Sequence, residues 1–371
     1  MPQSLTYNYN SVAQEVVCAE DAINGLAGIL NRLGGSRAMV ICGPSILAKS
    51  DVVRRVQSSL GGICVGLFPG VAPHSPVNTL DEAMELVADL KPDALVSVGG
   101  GSTHDTTKGI ATLLGEGGKI HDHQVFFEPP DKIIMPHLSK DRVPIIAVST
   151  TMGAAELSRG AGFADKDLGR KVSVADPGTI PRSIVIDGQA LATTPKGILL
   201  STAMGQLRVA IESVYSINHN PISDSLALGA ISMLVKNLPH CSELEMDRLL
   251  NIKTAAAMAS LGSVGGGINT ATAHHVGGIF DVPHGDANAI MLPHSMRFNA
   301  DASADRQTLI AQAMGIDTSL MRDHEAALSA ADAVEDLRNS LGLPGRLRDV
   351  GVPEEGLELI AAATLKDRSL A

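Results

Sequence analysis

The run SVGGGSTHDTTKGIA, Ser97–Ala111, sets three glycines between an apolar stretch and a helical one. Gly99, Gly100 and Gly101 therefore read as a strand-to-helix turn, where glycine admits unusual backbone angles and the helix's unpaired N–H groups favour an anion. A phosphate suits such a turn, and so does a tight βα connection that needs glycine for geometry alone. Farther along, His274 and His284 lie ten residues apart and carry imidazoles that exchange protons near neutrality. Arg208 offers a planar cation able to grip an oxyanion or a carboxylate through two parallel bonds, or simply to face solvent from its helix.

The elements that must position these groups fall into two unlike halves. The β-rich runs Ala38–Gly43, Gly62–Phe68, Ala94–Gly100 and Val143–Thr150 alternate with helical stretches, the signature of a parallel sheet wound by helices. The segment Gly115–Arg142, rich in Gly, Pro and charge, interrupts this alternation as a long functional loop. After the strand Ser183–Asp187 the β signal fades. From Pro195 the chain reads as helices, with apolar residues at helical spacing over 195–216, 223–238, 245–262, 306–315 and 325–342. We expect an α/β domain over residues 1–190 with a Rossmann-like parallel sheet, followed by an all-helical domain over 191–371.

Composition narrows the partners. A chain of 371 residues, 44% hydrophobic and 19% charged, buries substantial cores as an ordinary globular protein. A net charge of -11, with 2% aromatic residues and no Trp, argues against nucleic acid, which needs basic surface and stacking rings. The start MPQSLTYNYNSVAQEVV lacks a basic, then apolar leader, and no apolar run approaches the roughly 20 residues that span a bilayer. The expectation is a cytoplasmic protein with no membrane partner. Cys18, Cys42, Cys64 and Cys241 are scattered, which suggests reduced and mostly buried thiols.

Five blocks in fixed order carry a resemblance: GGGSTHDTTK, STTMGAAE (Ser149–Glu156), RKVSVADPGTIPRSIVID (Arg170–Asp187), AIESVYSINHNPISDSLAL (Ala210–Leu228) and AHHVGGIFDVPHGDANAIMLPHSMRFN (Ala273–Asn299). Together they resemble the iron-dependent alcohol dehydrogenase family, which includes maleylacetate reductases and, more distantly, dehydroquinate synthase. The resemblance implies that family's fold, a homodimer, and a nicotinamide cofactor, NADH or NADPH, in the cleft between domains with its pyrophosphate over Gly100, Gly101 and Ser102. Asp105 and Lys108 follow at the family's spacing, Thr150 and Thr151 match its adenosine-side threonines, and Lys171 matches a lysine near the nicotinamide ribose. Asp105 capping its helix and Lys108 facing solvent are the plainer alternatives. Gly43 stands where NAD-preferring members often carry an Asp on the ribose hydroxyls, so a 2′-phosphate meets no repulsion there.

The same resemblance places the family's divalent metal on four positions, occupied here by Gly205, Val209, Thr270 and His284. One His with water cannot hold such an ion in a defined geometry, so we expect no metal, unless Glu212, His219 or His275 supplies replacement ligands. The length of TTMGAAE and the run HVGGIFDVPH resemble maleylacetate reductases, whereas Val209 and the long Gly115–Arg142 segment depart from them. The resemblance thus implies a divergent, metal-free reductase of a small oxo acid or aldehyde. In it His274 serves as proton donor or relay, His284 as its orienting partner across the VGGIFDV turn, and Arg208, or less simply Arg159, as anion anchor. A redox-neutral lyase or isomerase using nicotinamide transiently, a metal-dependent alcohol dehydrogenase with other ligands, and a catalytically dead binding protein are the alternatives.

Overall fold

The computed structural model describes residues 7, 9, 14–128, 132–168 and 170–370. Most of the amino-terminal stretch read above for a leader, and residues 129–131 of the long interrupting segment, lie outside that set. The chain divides into two compact units, one of Gln14–Leu199 with Glu243–Lys253, the other containing Leu200–Ser242 and Thr254–Ala371.

The α/β unit contains β1 (Glu15–Ala19), α1 (Leu26–Arg32), β2 (Ala38–Cys42), α2 (Pro44–Lys49), α3 (Val52–Leu60), β3 (Cys64–Phe68), α4 (Val77–Leu90), β4 (Ala94–Gly99) and α5 (Gly101–Glu116). It continues through β5 (Phe126–Glu128), β6 (Lys132–Ile134), β7 (Ile145–Ser149), β8 (Gly160–Asp165), β9 (Arg170–Ala175), β10 (Ser183–Asp187) and α6 (Gly188–Ala192). Six strands form one sheet in the order β1-β10-β7-β4-β2-β3, and every pairing in it is parallel. Its central strands are apolar at nearly every position because both faces are covered. Val40, Val96 and Val148 pack with α1 and α3 on one face, while Met39, Ile41, Leu95 and Ile145 pack with α4 and α5 on the other. From β2 the chain steps outward to β3 and then returns to β4 on the opposite side of β2. The carboxyl ends of β2 and β4 thus flank the point where the winding reverses, the place where open α/β sheets bind ligands.

The Gly115–Arg142 segment is more ordered than a simple loop. It holds the end of α5, a 3-10 turn at Ile120–His123 and the antiparallel pair β5–β6. Of the cysteines, Cys42 and Cys241 are buried, Cys64 is half-buried and Cys18 is exposed, so the expectation of mostly buried thiols holds for only two. No helix among the described residues is long and apolar enough to cross a membrane.

The helical elements that follow are α7 (Lys196–Val214), α8 (Pro221–Asn237), α9 (Met246–Leu261), α10 (Ile268–Phe280), α11 (His284–Phe298), α12 (Ala304–Ala313), α13 (Asp323–Ser340) and α14 (Gly356–Thr364). In the helical unit α10 packs on α11 and α14, and α13 on α11 and α12. The expected VGGIFDV turn proves to be mostly the last turns of α10. The chain reverses only at Asp281, whose φ of 56° ends the helix, and Pro283 then fixes the entry to α11. Because His274 lies in α10 and His284 opens α11, this short connection folds one ring back onto the other.

Candidate active site

At the carboxyl end of β4, Gly100 precedes α5 without any side chain capping the helix. The amides of Gly101 and Ser102 are therefore the kind of unpaired helix-start donors that hold a phosphate. A Cβ on Gly101 would meet only Ala155 Cβ, at 3.8 Å, whereas one on Gly100 would meet Thr151 Cγ2 at 2.8 Å. The open side of Gly101 is thus room outside the protein's own packing, and Gly100 is required by Thr151. Thr150 N–H donates to Gly99 O at 2.9 Å and Thr194 Oγ1 donates to Thr150 O at 2.6 Å, which fixes the Thr150–Thr151 turn beside the glycines. Ser102 Oγ accepts from His74 N–H at 3.1 Å. Gly43 follows β2 across the switch point, where a Cβ would lie 3.1 Å from Val71 O.

Asp105 does not cap its helix. It sits inside α5 and accepts the Gly162 N–H of β8 at 3.1 Å; burial raises its pKa, opposed by Lys108, that N–H bond and Lys171. Lys171, exposed on β9, acts on Asp105 through its charge. Lys108 is not solvated either. It is fully buried and its ammonium donates to Ala155 O at 2.5 Å, Gly160 O at 2.9 Å and Ser158 Oγ at 3.2 Å, so it staples the loop after the threonines to α5.

A second buried group in the same unit escaped the sequence reading. Lys253 of α9, 0% exposed, donates to Glu156 Oε1 at 2.5 Å and to Gly153 O. Ser149 Oγ donates to the same carboxylate oxygen at 2.8 Å, and His104 Nε2 lies 3.7 Å from Glu156 Oε2. Burial is the largest influence on the Glu156 pKa and raises it, but the opposing contributions, led by the Lys253 ammonium, together hold the carboxyl down at about 2. Burial likewise pushes His104 down to about 4, so it is neutral and exchanges a hydrogen bond with Ser97 through Nδ1. The sequence did carry a signal: Lys253 follows Leu249 by one helical turn on a buried stripe that continues to Ala256.

In the helical unit the three residues expected to do chemistry fall on adjoining elements. Arg208 of α7 is not a solvated arginine; its side chain is 11% exposed, and Nη1 donates to Thr270 Oγ1 at 2.7 Å and to Glu212 Oε2 at 3.2 Å. Glu212 in turn accepts the N–H groups of Asn269 at 2.9 Å and Thr270 at 3.2 Å, capping α10 from another helix. It also accepts from the Thr270 hydroxyl. Gly267 permits this approach, since a Cβ there would lie 2.7 Å from Glu212 Oε1. His274 follows Thr270 by one turn of α10, and its ring stacks on His284 with centroids 5.8 Å apart and planes 18° apart. His274 Nδ1 lies 3.2 Å from Asp367 Oδ2, a partner that no sequence spacing indicated. His219 instead pairs with Asp224, and Arg159 is exposed.

The donor set at the four positions implied for a metal does not fit a divalent ion. Gly205 has no side chain, Val209 is apolar and buried, the Thr270 hydroxyl is engaged by a guanidinium and a carboxylate, and His284 alone offers an imidazole. Glu212, considered as a replacement ligand, has both oxygens occupied by protein donors. Among the described residues no three or more His, Cys, Asp or Glu side chains come together as a metal site.

Comparison with known proteins agrees with the blocks from which the resemblance was read. Residues 13–188 match the family model for iron-containing alcohol dehydrogenase, and residues 199–371 match the model for the carboxyl-terminal part of the Fe-containing alcohol dehydrogenase family. Lactaldehyde reductase of Escherichia coli K12 is 30% identical over 351 residues, covering 93% of this chain and 90% of that one. The chain belongs to the iron-containing alcohol dehydrogenase family. Maleylacetate reductase of Burkholderia cepacia, in the same set of relatives, is 27% identical over 358 residues, 95% of this chain and 89% of that one. The crystal structure of a 1,3-propanediol oxidoreductase superposes with a TM-score of 0.89 at 28% identity, covering 98% of this chain and 94% of that one. This iron-containing alcohol dehydrogenase homologue has the family's α/β and helical organisation, and it is a nicotinamide-dependent dehydrogenase or reductase.

Proposed function

We propose that the enzyme reduces a small carbonyl substrate, an oxo acid of the maleylacetate type or an aldehyde, with NADH or NADPH and without a divalent ion. The observation that supports this reading is the Arg208–Thr270 bond: a protein cation, held at 2.7 Å, engages a residue at one of the family's metal positions. When bound, the reduced nicotinamide supplies the hydride to the carbonyl carbon. Gly100, Gly101 and Ser102 would seat the dinucleotide phosphates, Thr150 and Thr151 would line the adenosine side, Lys171 would stand near the nicotinamide ribose with Asp105 on the same cofactor side, and Gly43 leaves a 2′-phosphate unopposed. His274 gives the proton to the carbonyl oxygen, His284 steadies its ring, and Arg208 holds the substrate's anionic group or the developing oxyanion.

The test is a panel of small oxo acids and aldehydes with purified enzyme in chelator, read as nicotinamide absorbance and as product mass. Loss of reduced nicotinamide in step with alcohol formation is expected. Product without net consumption of nicotinamide would instead favour the redox-neutral lyase or isomerase, and activity only with an added divalent ion would overturn the metal-free reading.

A further inference from the structure

We infer that Asp367 is a positioning residue for His274, holding that imidazole in the tautomer with its proton on Nδ1. This rests on the proposed role of His274. The carboxylate is itself fixed in place. Asp367 lies just beyond α14, its N–H donates to Thr364 O at 3.0 Å, and its Oδ1 accepts the Ser369 N–H at 2.8 Å. This turn leaves Oδ2 to face α10, 3.2 Å from His274 Nδ1. The side chain is only 9% exposed while that of His274 is 40% exposed, so the carboxylate is the fixed partner and the imidazole is the group with access to solvent.

The chemistry follows from which nitrogen is occupied. An ionised carboxylate only accepts hydrogen bonds, so an imidazole beside it presents Nδ1–H and keeps Nε2 bare. Asp367 stays ionised: burial raises its pKa, but the bonds from His274 and Ser369 hold it at about 2. Stacking on His284 fixes the plane of the His274 ring, and the Asp367 bond fixes its rotation within that plane. Nε2 is then the edge through which His274 takes up and delivers a proton. His275 Nε2 also lies 3.2 Å from Asp367 Oδ2 but is not aligned for a hydrogen bond. The carboxylate therefore serves the residue one position before it, which distinguishes the two adjacent histidines.

The experiment is the imidazole 15N spectrum of full-length enzyme labelled at histidine, with the His274 signals identified by their loss in His274→Gln. The expected spectrum has the His274 proton on Nδ1, and Asp367→Asn shifts the ring towards Nε2–H. In the same variant the turnover number falls by about tenfold or more, as when a carboxylate that orients a catalytic imidazole is lost, while the KM for the nicotinamide is unchanged and Asp367→Glu recovers part of the rate. A wild-type His274 protonated on Nε2, or a tautomer indifferent to Asp367→Asn, would overturn the inference. The wild-type spectrum needs no variant to fold and no substrate, so failure to find any carbonyl that is reduced would count against the proposed reaction and leave this reading to its own evidence.

Discussion

Arg208 Nη1 donates to the Thr270 hydroxyl at 2.7 Å, linking α7 to α10 one helical turn before His274. The guanidinium is also paired with Glu212, so its charge is shared with a carboxylate whose other oxygen caps α10. Two consequences differ in kind: the cation orders the start of α10, and its remaining N–H groups are donors for an anion. Nε is buried and engages no described residue.

Arg208→Ala is therefore expected to lower kcat/KM by about 10²- to 10³-fold, the cost of losing one oxyanion donor, with the larger loss on carboxylate-bearing substrates. Arg208→Lys retains charge but not the planar fork and should fall between. Steady-state kinetics on an oxo acid and an uncharged aldehyde of similar size measures this; equal, small losses on both would remove Arg208 from the reaction.

His274→Ala should lower the turnover number by about 10²-fold or more while leaving NAD(P)H affinity nearly unchanged, because a proton donor acts in the transition state. Turnover and cofactor titration on one preparation separate the two effects. Near-normal turnover would pass the role to His275 or to water.

Gly101→Val should abolish dinucleotide binding and spare the fold. Its Cβ would meet the protein only at Ala155, 3.8 Å away, so the new side chain occupies ligand space rather than core. Gly99→Val is not equivalent, since φ at Gly99 is 155° and its Cβ would collide with the Thr103 side chain. NAD(P)H fluorescence titration together with thermal unfolding tests this; unchanged titration would place the phosphates elsewhere.

Acid should destabilise the α/β unit through two buried groups. His104 falls from 6.5 to about 4 on folding and Glu156 from 4.5 to about 2. Both folded values are depressed, so the unfolded chain binds more protons and stability drops as pH falls, from 6.5 through 4 for His104 and from 4.5 through 2 for Glu156. Lys253→Met leaves Glu156 buried without its cation and should cost about 3–5 kcal/mol. Denaturant unfolding against pH, with and without that substitution, measures both; a flat profile between pH 6.5 and 4 would contradict the neutral, buried His104.

How far the sequence could be read depended on which signal each element carries. The strands Ala38–Cys42, Ala94–Gly99 and Ser183–Asp187 are legible because both faces are buried and the run is apolar but for Ser97, Ser183 and Asp187. Strand β1 is an edge strand, with Val16 44% exposed, and its apolar run is confined to Val16–Ala19. The pairs β5–β6 and β8–β9 mix polar and apolar residues. Gly277, Gly278 and Pro283 made the junction of α10 and α11 look like a turn, although only Asp281 takes left-handed backbone there. His274 and His284 were legible from their motif, whereas Asp367 joins them only in three dimensions, 93 residues from His274.

Metal content and chelator-resistant turnover, measured on one preparation of the purified enzyme, decide whether Arg208, His274 and the dinucleotide suffice for the reaction. Full NAD(P)H-dependent turnover in chelator, with far less than stoichiometric iron, zinc or manganese by elemental analysis, is the predicted result. About one such ion per chain, with activity lost on chelation and restored by adding the ion back, would contradict it and require ligands other than Gly205, Val209 and Thr270.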